Sequence, residues 1–186
     1  VSTKVNKILN TKNVTLFKPN LKELKEGVNK IFSFQEIEKF EEAVAILEEK
    51  LNNQISFITL SENGVFIKDK TTQHHVPAHI RNIADVSGAG DTVISVATLC
   101  LAAGMSIKDV AEIANLAGGL VCEKSGVVSI DKELLIKEVE LVVAKHWKLV
   151  TNNYKKMERK EVKPYGDSNK SKKEEVAQMF DTISKR

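Results

Sequence analysis

The chain is poor in cysteine, with two residues among 186, and it has no long run of apolar residues. Cys100 and Cys122 cannot build a disulfide framework, and no Cys/His spacing typical of a zinc site is present. We therefore interpret both as buried free thiols of a cytoplasmic protein. No apolar stretch approaches the ~18 residues of a membrane span and no signal peptide is recognisable, so no membrane partner is expected.

Charge of one sign is also scarce, because the net charge of the chain is only +3. Much of that excess lies in residues 155–173, where eight Lys and Arg residues outnumber three acidic ones. So weak a positive charge gives no argument for a nucleic-acid partner. We interpret residues 151–186 as a basic linker that ends in a short amphipathic helix. The chain begins with Val1 rather than Met, which leaves open that it is a fragment.

The first half of the sequence predicts strands and helices in alternation. Residues 14–17 and 55–60 are short apolar runs typical of buried strands, and Asn63-Gly64 predicts a tight two-residue hairpin into a partner strand. Between the two runs, Ser33 and Glu36 have the spacing of a capping box. The apolar stripe behind that box predicts an amphipathic helix. Its residues are Ile37, Phe40, Val44, Leu47 and Leu51.

The second half of the sequence predicts three helices. One begins in the stretch Asp85-Val-Ser-Gly-Ala-Gly-Asp91, one follows Ser106, and one spans 132–147. Gly118-Gly119 lie inside the second of them, where each glycine costs about 1 kcal/mol relative to alanine. We expect another backbone or a flat ligand to pack close to them. Strands alternating with helices indicate an α/β fold with a largely parallel sheet.

The stretch from Asp85 to Asp91 places very small residues at the start of a helix. Backbone N–H groups in a first helical turn have no partner within the helix, and the helix dipole adds positive potential there. Gly88, Ala89 and Gly90 carry almost no side chain, so an anion can reach those N–H groups. The stretch is not a P-loop, because no G-K-[ST] follows and no lysine is near in sequence. It predicts a phosphate or oxyanion site of another kind.

Asp91 is the unexpected member of this anion site, because a carboxylate repels an anion unless it has a role of its own. One such role is to accept the proton of a hydroxyl that attacks a phosphoryl group, while the N–H groups stabilise the charge on that group. Phosphoryl transfer needs little beyond such positioning and a metal ion. The alternative is that Asp91 is an ordinary acid of a first helical turn and that the glycines make a tight turn. The spacing alone leaves both open.

The stretch Asp85 to Asp91, followed by Thr-Val-Ile, resembles the second signature of the ribokinase, or PfkB-type, carbohydrate kinase family, usually D-T-x-G-A-G-D. In detail it is most similar to the D-glycero-beta-D-manno-heptose 7-phosphate kinases of the ADP-heptose pathway. Asn20-Leu-Lys-Glu23 resembles the family's N-x-x-E element. The run from Thr59 to Gly64 resembles its T-x-G-x-x-G nucleotide loop, with Ser61 where glycine is common. Asn115 matches an asparagine that lines the adenine pocket.

The resemblance covers roughly residues 14 to 145 and implies a ribokinase-like fold of α/β/α layers. It implies Asp91 as the general base, an anion hole at Gly88, Ala89 and Gly90, and ATP with Mg²⁺ as cofactors. The residues it assigns to ATP are Asn20, Glu23, Thr59, Ser61, Gly64 and Asn115, the first two also holding Mg²⁺ through water. In some relatives the loop before the helix touches a monovalent cation, which makes Asp85 and Ser87 candidates for that role.

The first glycine-rich signature of the family is absent, and the family's sugar pocket comes mainly from its N-terminal half. We therefore expect residues 1–150 to be the C-terminal, nucleotide-binding half, with the N-terminal half as its missing partner and a homodimer as a candidate assembly. The expected activity is ATP-dependent phosphorylation of a sugar or sugar phosphate, heptose 7-phosphate being favoured. Two alternatives stay open. In the first, the chain is a nucleotide-binding module that is inactive by itself. In the second, the kinase has another acceptor, which is fructose 1-phosphate, ribose or a nucleoside.

Overall fold

Four short strands of the described chain form one sheet, in which they lie in chain order. The computed structural model describes residues 12–79, 81–142 and 144. The strands are β1 (Leu16–Phe17), β2 (Ile55–Thr59), β3 (Val65–Lys68) and β4 (Gln73–Val76). β1 pairs with β2 in parallel, with Leu16 opposite Ile55. The β2–β3 and β3–β4 pairs are both antiparallel.

The α/β class is therefore as predicted, but the described sheet is mixed rather than largely parallel. Its one parallel pair, β1–β2, is separated in sequence by two helices, which is the connection that parallel strands need. β2, β3 and β4 follow one another through short loops, and such loops can join only antiparallel neighbours. The sequence had suggested only one hairpin in this region, whereas the structure has two in succession.

The described residues form five helices. They are α1 (Leu21–Val28), α2 (Ile37–Leu51), α3 (Ala89–Ala102), α4 (Ile107–Cys122) and α5, which covers residues 132–142. The amphipathic stripe of α2 is confirmed at Phe40, Val44, Leu47 and Leu51, all buried, whereas Ile37 is half exposed. The prediction of α5 to residue 147, and of the linker and helix in 151–186, extends outside the described residues.

The main apolar cluster lies on one face of the sheet. α1 and α2 supply Leu24, Val28, Phe40 and Leu47, while Ile58 and Phe66 supply the sheet side. The rings of Phe40 and Phe66 meet edge to face, with centroids 5.0 Å apart. Each large side chain buried here contributes roughly 1.5–3 kcal/mol by leaving water. This cluster fixes the position of α1, whose N-terminus begins directly after β1.

The opposite face of the sheet is buried as well. Phe57 and Ile67 are paired across β2 and β3 and alternate with Ile58 and Phe66, so their side chains point the other way. Both are fully buried, and α4 contacts β3 and β4. Helices therefore pack against a sheet that is covered on both faces.

Two local predictions are corrected by the structure. Ser33 and Glu36 do not cap α2, because that helix begins at Ile37 and Glu36 itself occupies the cap position. Their hydrogen bond, from the Ser33 N–H to Glu36 Oε2, closes the turn before the helix instead. Asn63-Gly64 is not a two-residue hairpin, because Asn63 does not adopt the positive φ that such a turn requires and Ser61–Asn63 form a 3₁₀ turn.

α3 and α4 pack side by side as an antiparallel pair. Ser106 caps α4 by accepting the Asp109 N–H, as predicted. The helices approach closely at Gly118, since a methyl group placed there would lie 2.6 Å from Val93 Cγ2. Gly119 faces the side chain of Arg81, and a methyl group placed on Gly119 would lie 3.2 Å from Arg81 Cδ. Close packing at the glycine pair is therefore as predicted, but the nearest neighbours are two side chains, where another backbone or a flat ligand had been expected.

The chain divides into two compact units, residues 1–127 and residues 128–186. In the second unit, Asp131 starts α5 by accepting the Leu134 N–H at 2.8 Å.

Cys100 and Cys122 are both free and buried, as expected, and burial raises the pKa of Cys100 to about 12. Within the part of the chain that the structure describes, no helix has the length and apolar character to cross a membrane.

Candidate active site

The carboxyl ends of β1 and β2 bring two of the predicted site elements together. The Thr59 N–H donates to the Pro19 carbonyl at 3.1 Å, and Asn20 forms a parallel bridge with Thr59. Asn20 and Thr59 are thus neighbours in space although 39 positions separate them in sequence. Ligand sites of α/β sheets lie at this edge, beyond the carboxyl ends of parallel strands.

Asn20 and Glu23 form the capping box that starts α1. Asn20 Oδ1 accepts the Glu23 N–H at 2.8 Å, and Glu23 Oε2 accepts the Asn20 N–H at 2.9 Å. The N-x-x-E element is therefore also the signal that begins a helix. The reciprocal bonds fix both side chains at the edge of the sheet.

The loop that leads into α3 is anchored by Asp85. Its Oδ1 accepts the Ser87 N–H at 2.9 Å, and its Oδ2 accepts the Gly126 N–H at 3.0 Å. Hydrogen bonds from Ser87, and then the one from Gly126, hold the pKa of Asp85 below its usual value, because they stabilise the charged form. The carboxylate of Asp85 thus joins the start of α3 to the segment that follows α4.

Gly88 gives α3 its starting geometry. It occupies the cap position with φ of 79°, in the left-handed region that glycine adopts most easily. A methyl group at Gly88 would also lie 3.0 Å from Val127 Cγ1. The Thr92 N–H bonds back to the Gly88 carbonyl, and the Ala89 N–H makes a long 3.3 Å contact with the Val86 carbonyl. The helix itself provides no partner for the N–H groups of Gly90 and Asp91.

Asp91 is the third residue of α3, and its side chain is exposed. Gly90, beside it, is exposed as well. The carboxylate therefore stands in solvent next to backbone N–H groups that an anion can reach. The position at the start of a helix is as predicted, and the role of Asp91 as an acceptor of a hydroxyl proton stays a prediction.

Lys18 is the residue that the sequence reasoning missed. A methyl group placed on Gly90 would lie 3.6 Å from Lys18 Nζ, so the ammonium group approaches the first turn of α3. Burial lowers the pKa of Lys18, while the charges of Glu23 and Asp91 oppose that shift. A lysine is therefore near the predicted anion site. Its signal in the sequence is its place directly after the first strand and before Pro19-Asn20.

The predicted nucleotide loop and Asn115 meet at the segment that follows β4. Gly64 has φ of 86°, and a methyl group there would lie 2.0 Å from the Val76 carbonyl oxygen. Asn115 Nδ2 donates to the Pro77 carbonyl at 2.9 Å. Gly64 and Asn115 are therefore held on the same short segment. Ser61, also at positive φ, accepts the Gly64 N–H through its carbonyl and shapes the loop between them.

α4 connects the two groups of residues. Asn115 and Gly118 are one turn apart on this helix, so they share a face. A methyl group on Gly118 would lie 3.9 Å from the Ala89 carbonyl oxygen at the start of α3. The predicted adenine-side asparagine and the predicted anion site are thus on neighbouring turns of packed helices.

The metal prediction fits the geometry of Asn20 and Glu23 in one respect. Each uses one oxygen in the capping box, which leaves Glu23 Oε1 as the carboxylate oxygen that can face a hydrated cation. Mg²⁺ retains several waters in such sites and needs few direct protein ligands. Among the described residues, no three His, Cys, Asp or Glu side chains are grouped to hold a metal directly.

The model of the family described as "pfkB family carbohydrate kinase" matches residues 3–133. The chain belongs to the pfkB family of carbohydrate kinases. It is 43% identical over 116 residues to the bifunctional protein HldE of Campylobacter concisus, a match that covers 62% of this chain and 24% of that relative. It is 37% identical over 133 residues to the bifunctional protein HldE of Vibrio parahaemolyticus, covering 71% of this chain and 26% of that relative. The chain thus spans about a quarter of the length of these curated relatives.

Solved structures confirm the ribokinase-like fold. Ribokinase of Arabidopsis thaliana, complexed with ribose and ATP, aligns with a TM-score of 0.59 at 20% identity, over 66% of this chain and 39% of that one. Phosphofructokinase-2 of Escherichia coli, in complex with potassium, aligns with a TM-score of 0.58 at 24% identity, over 63% of this chain and 38% of that one. At these identities the likeness establishes the fold alone.

Proposed function

We propose that this chain is the nucleotide-binding portion of an ATP-dependent carbohydrate kinase. The observation that carries the proposal is the position of Asp91, exposed in the first turn of α3 beside the N–H groups of a glycine-flanked helix start. The same place receives Lys18 and Glu23 from the end of β1 and the start of α1. Because the chain belongs to a family of carbohydrate kinases, the reaction that we propose for this arrangement is phosphoryl transfer to a sugar.

In the proposed reaction, an acceptor hydroxyl gives its proton to the Asp91 carboxylate as its oxygen bonds to the γ-phosphorus of ATP. The bond from that phosphorus to the ADP oxygen breaks at the same time. Gly88, Ala89 and Gly90 form the anion hole, in which backbone N–H groups stabilise the charge on the phosphoryl oxygens. Mg²⁺, held through water by Asn20 and Glu23, would neutralise phosphate charge.

ATP is proposed to lie along the line from the anion site to Asn115. Thr59, Ser61 and Gly64 form the loop beside it, and Asn115 lies on the adenine side. Asp85 and Ser87 are proposed to border a monovalent cation. The carboxylate of Asp85 supports this, because its pKa is lowered and it stays charged near neutral pH.

Heptose 7-phosphate is the proposed acceptor. The support is the similarity of the Asp85 to Asp91 stretch to heptose 7-phosphate kinases, together with the bifunctional HldE proteins among the relatives. Fructose 1-phosphate, ribose and nucleosides are the competing acceptors. A panel of these four acceptors, assayed for ADP formation with the whole natural protein that carries this chain, tests the choice. Faster turnover with any other acceptor than with heptose 7-phosphate would reject it.

The role of Asp91 is tested by Asp91→Asn in the same protein, with Asp109→Asn as the matched control. Asp109 is the third residue of α4, as Asp91 is of α3, so both substitutions remove the same charge from a first helical turn. We expect Asp91→Asn to lower kcat about a hundredfold or more, and Asp109→Asn to leave it within about threefold. Both should change stability by no more than about 1 kcal/mol. Equal kcat in the two variants would remove Asp91 from the chemistry.

A second function is favoured by the length of the chain. Since it spans 24% of one HldE relative and 26% of another, it is also a candidate for a nucleotide-binding module that is inactive by itself. Calorimetry with ATP and Mg²⁺, followed by a kinase assay on the 186-residue chain, separates the two functions. Turnover by this chain alone would reject the inactive module.

A further inference from the structure

His75 lies between the aromatic side of the core and the predicted nucleotide loop. It is directly opposite Phe66 in the β3–β4 pair, so the two side chains share one face of the sheet. The imidazole ring contacts the ring of Phe34, with centroids 5.1 Å apart, and Phe34 meets Phe40 edge to face at 5.2 Å. Phe40 is part of the apolar cluster that positions α1, and Phe34 packs against that cluster. The core therefore supports one side of the His75 ring.

The other side of the imidazole reaches the loop. His75 Nε2 lies 2.7 Å from the Asn63 carbonyl oxygen. A carbonyl oxygen can only accept a hydrogen bond, so Nε2 carries the proton and donates it. Asn63 is twelve positions from His75 in sequence and ends the 3₁₀ turn Ser61–Asn63. A side chain of the sheet thus holds the backbone of the loop.

The carbonyl that His75 holds belongs to the peptide unit between Asn63 and Gly64. The N–H of the same unit is that of Gly64, which donates to the Ser61 carbonyl at 3.0 Å. Because a peptide unit is planar, hydrogen bonds at both of its ends fix its rotation. Glycine restricts that rotation less than any other residue, so the unit depends on its two hydrogen bonds. The bond from His75 therefore helps to determine how the loop presents Ser61.

We propose that His75 is a positioning residue, which keeps the loop at residues 61–64 in the conformation that receives ATP. This role rests on the proposed kinase function, and His75 acts in it through the loop rather than on the substrate. The loop is held at Gly64 by close packing against the Val76 carbonyl oxygen, and His75 holds the preceding peptide unit. When only a fraction of the molecules has the binding conformation, the apparent affinity falls by that fraction. His75 raises this fraction.

The test removes the donor and keeps the ring. His75→Phe retains a ring against Phe34 and loses the hydrogen bond to Asn63, whereas His75→Gln places an amide N–H near the position of Nε2. Gln73→Leu is the matched control, because Gln73 lies on the same face of β4 and donates to Glu41 of α2 at 2.8 Å. It removes a side-chain donor from the same strand without touching the loop. Thermal unfolding of each variant verifies that it is folded.

Hydrogen exchange of the Gly64 amide measures the positioning directly, by NMR on the 186-residue chain. We expect His75→Phe to speed this exchange roughly five- to tenfold, which is the effect of losing one hydrogen bond. His75→Gln and Gln73→Leu should stay within about threefold of the original chain. Equal exchange in His75→Phe and Gln73→Leu would reject the role of His75.

Steady-state kinetics of the whole natural protein distinguish positioning from a general loss of structure. We expect His75→Phe to raise the KM for ATP about fivefold or more and to leave kcat within about twofold, because the loop binds the nucleotide equally before and during transfer. His75→Gln should bring KM back to within about twofold of the original value. A lower kcat with an unchanged KM would contradict the proposal.

Failure of this role and failure of the kinase function give different results. ATP affinity is measured by calorimetry with Mg²⁺ on the 186-residue chain, beside the kinase assay on the whole protein. An active kinase in which His75→Phe and Gln73→Leu have equal ATP affinity would reject only the role of His75. Loss of ATP affinity in His75→Phe alone, in a protein that phosphorylates no acceptor, would support His75 and reject the kinase. A protein that binds no ATP would reject both.

Discussion

The side chains of Asn20 and Glu23 each accept the backbone N–H of the other, at 2.8 and 2.9 Å. The pair that the family resemblance assigns to Mg²⁺ is therefore also the pair that begins α1. A loss of activity on replacing either residue is ambiguous, because the helix start and the metal site would be damaged together. The chemistry of the two roles differs, however, and that difference allows them to be separated.

Glu23→Gln should separate them. The amide oxygen of glutamine can still accept the Asn20 N–H, so we expect the free energy of unfolding to stay within about 0.5 kcal/mol, whereas Glu23→Ala should lower it by about 1 kcal/mol. Both variants lack the carboxylate and should lose the Mg²⁺ dependence of ATP binding. Urea denaturation and calorimetry with and without Mg²⁺ measure the two effects. Unchanged Mg²⁺ dependence in Glu23→Gln would exclude Glu23 from the metal site.

Gly64→Ala should be among the most destabilising single substitutions in the described chain. The new methyl group would lie 2.0 Å from the Val76 carbonyl oxygen, and the backbone would keep a φ of 86° that disfavours alanine. We expect a loss of at least about 3 kcal/mol, measured by urea denaturation. Gly104→Ala is the control, since its φ is 79° and nothing lies within 4 Å of the added methyl group. It should cost about 1 kcal/mol, and equal losses would mean that contact with Val76 is unimportant.

Gly118→Ala should be rescued by a change on α3. Its methyl group would lie 2.6 Å from Val93 Cγ2, so we expect overpacking to outweigh the gain of about 1 kcal/mol in helix propensity. Val93→Ala removes the obstacle. In a double-mutant cycle of unfolding free energies, the two substitutions should show a favourable coupling of about 1–3 kcal/mol. Additive effects would show that the helices adjust without strain.

Asp85 should make stability depend on pH in the acid range. Its pKa is below the ordinary value when folded, so its contribution is complete above the unfolded pKa of about 4 and is lost as the pH falls through the folded pKa. The amide introduced by Asp85→Asn offers only one acceptor oxygen, so this variant should be less stable than the original chain at neutral pH. We expect the difference to shrink steadily below about pH 4. Chemical denaturation at several pH values measures it, and a constant difference would contradict the role of the charge.

The sequence was sufficient for the elements whose signals are local. The stripe of α2, the Ser106 cap of α4 and the strand at 55–59 depend on neighbouring residues, and all three are confirmed. The prediction of a two-residue hairpin at Asn63-Gly64 was wrong because the preference of a dipeptide is weaker than the packing of Gly64 against the Val76 to Ala78 backbone. That contact joins residues twelve or more positions apart, and no short pattern reports it.

In the candidate site too, the sequence predicted what depends on neighbouring residues and missed what depends on distant ones. The start of α3 at Gly88 and Asp91 is a local pattern, and the sequence predicted its geometry. Lys18 reaches this place only because β1 pairs with β2 and the end of β1 turns into α1, which are long-range facts. No lysine lies near the motif in sequence, so the motif alone could not report this neighbour.

The bond between Asp85 and Gly126 joins residues 41 positions apart, and most of the chain between them is the antiparallel pair α3 and α4. Only residues 103–106 join α3 to α4, so the contacts beside this connection are between near neighbours, whereas β1 must find β2 across two intervening helices. Local contacts form sooner because they close shorter loops, so we expect α3 and α4 to assemble before the sheet. Pulse-labelling hydrogen exchange should accordingly protect α4 earlier than β1. Asp91 would then be in place on α3 before strand pairing brings Lys18 close to Gly90.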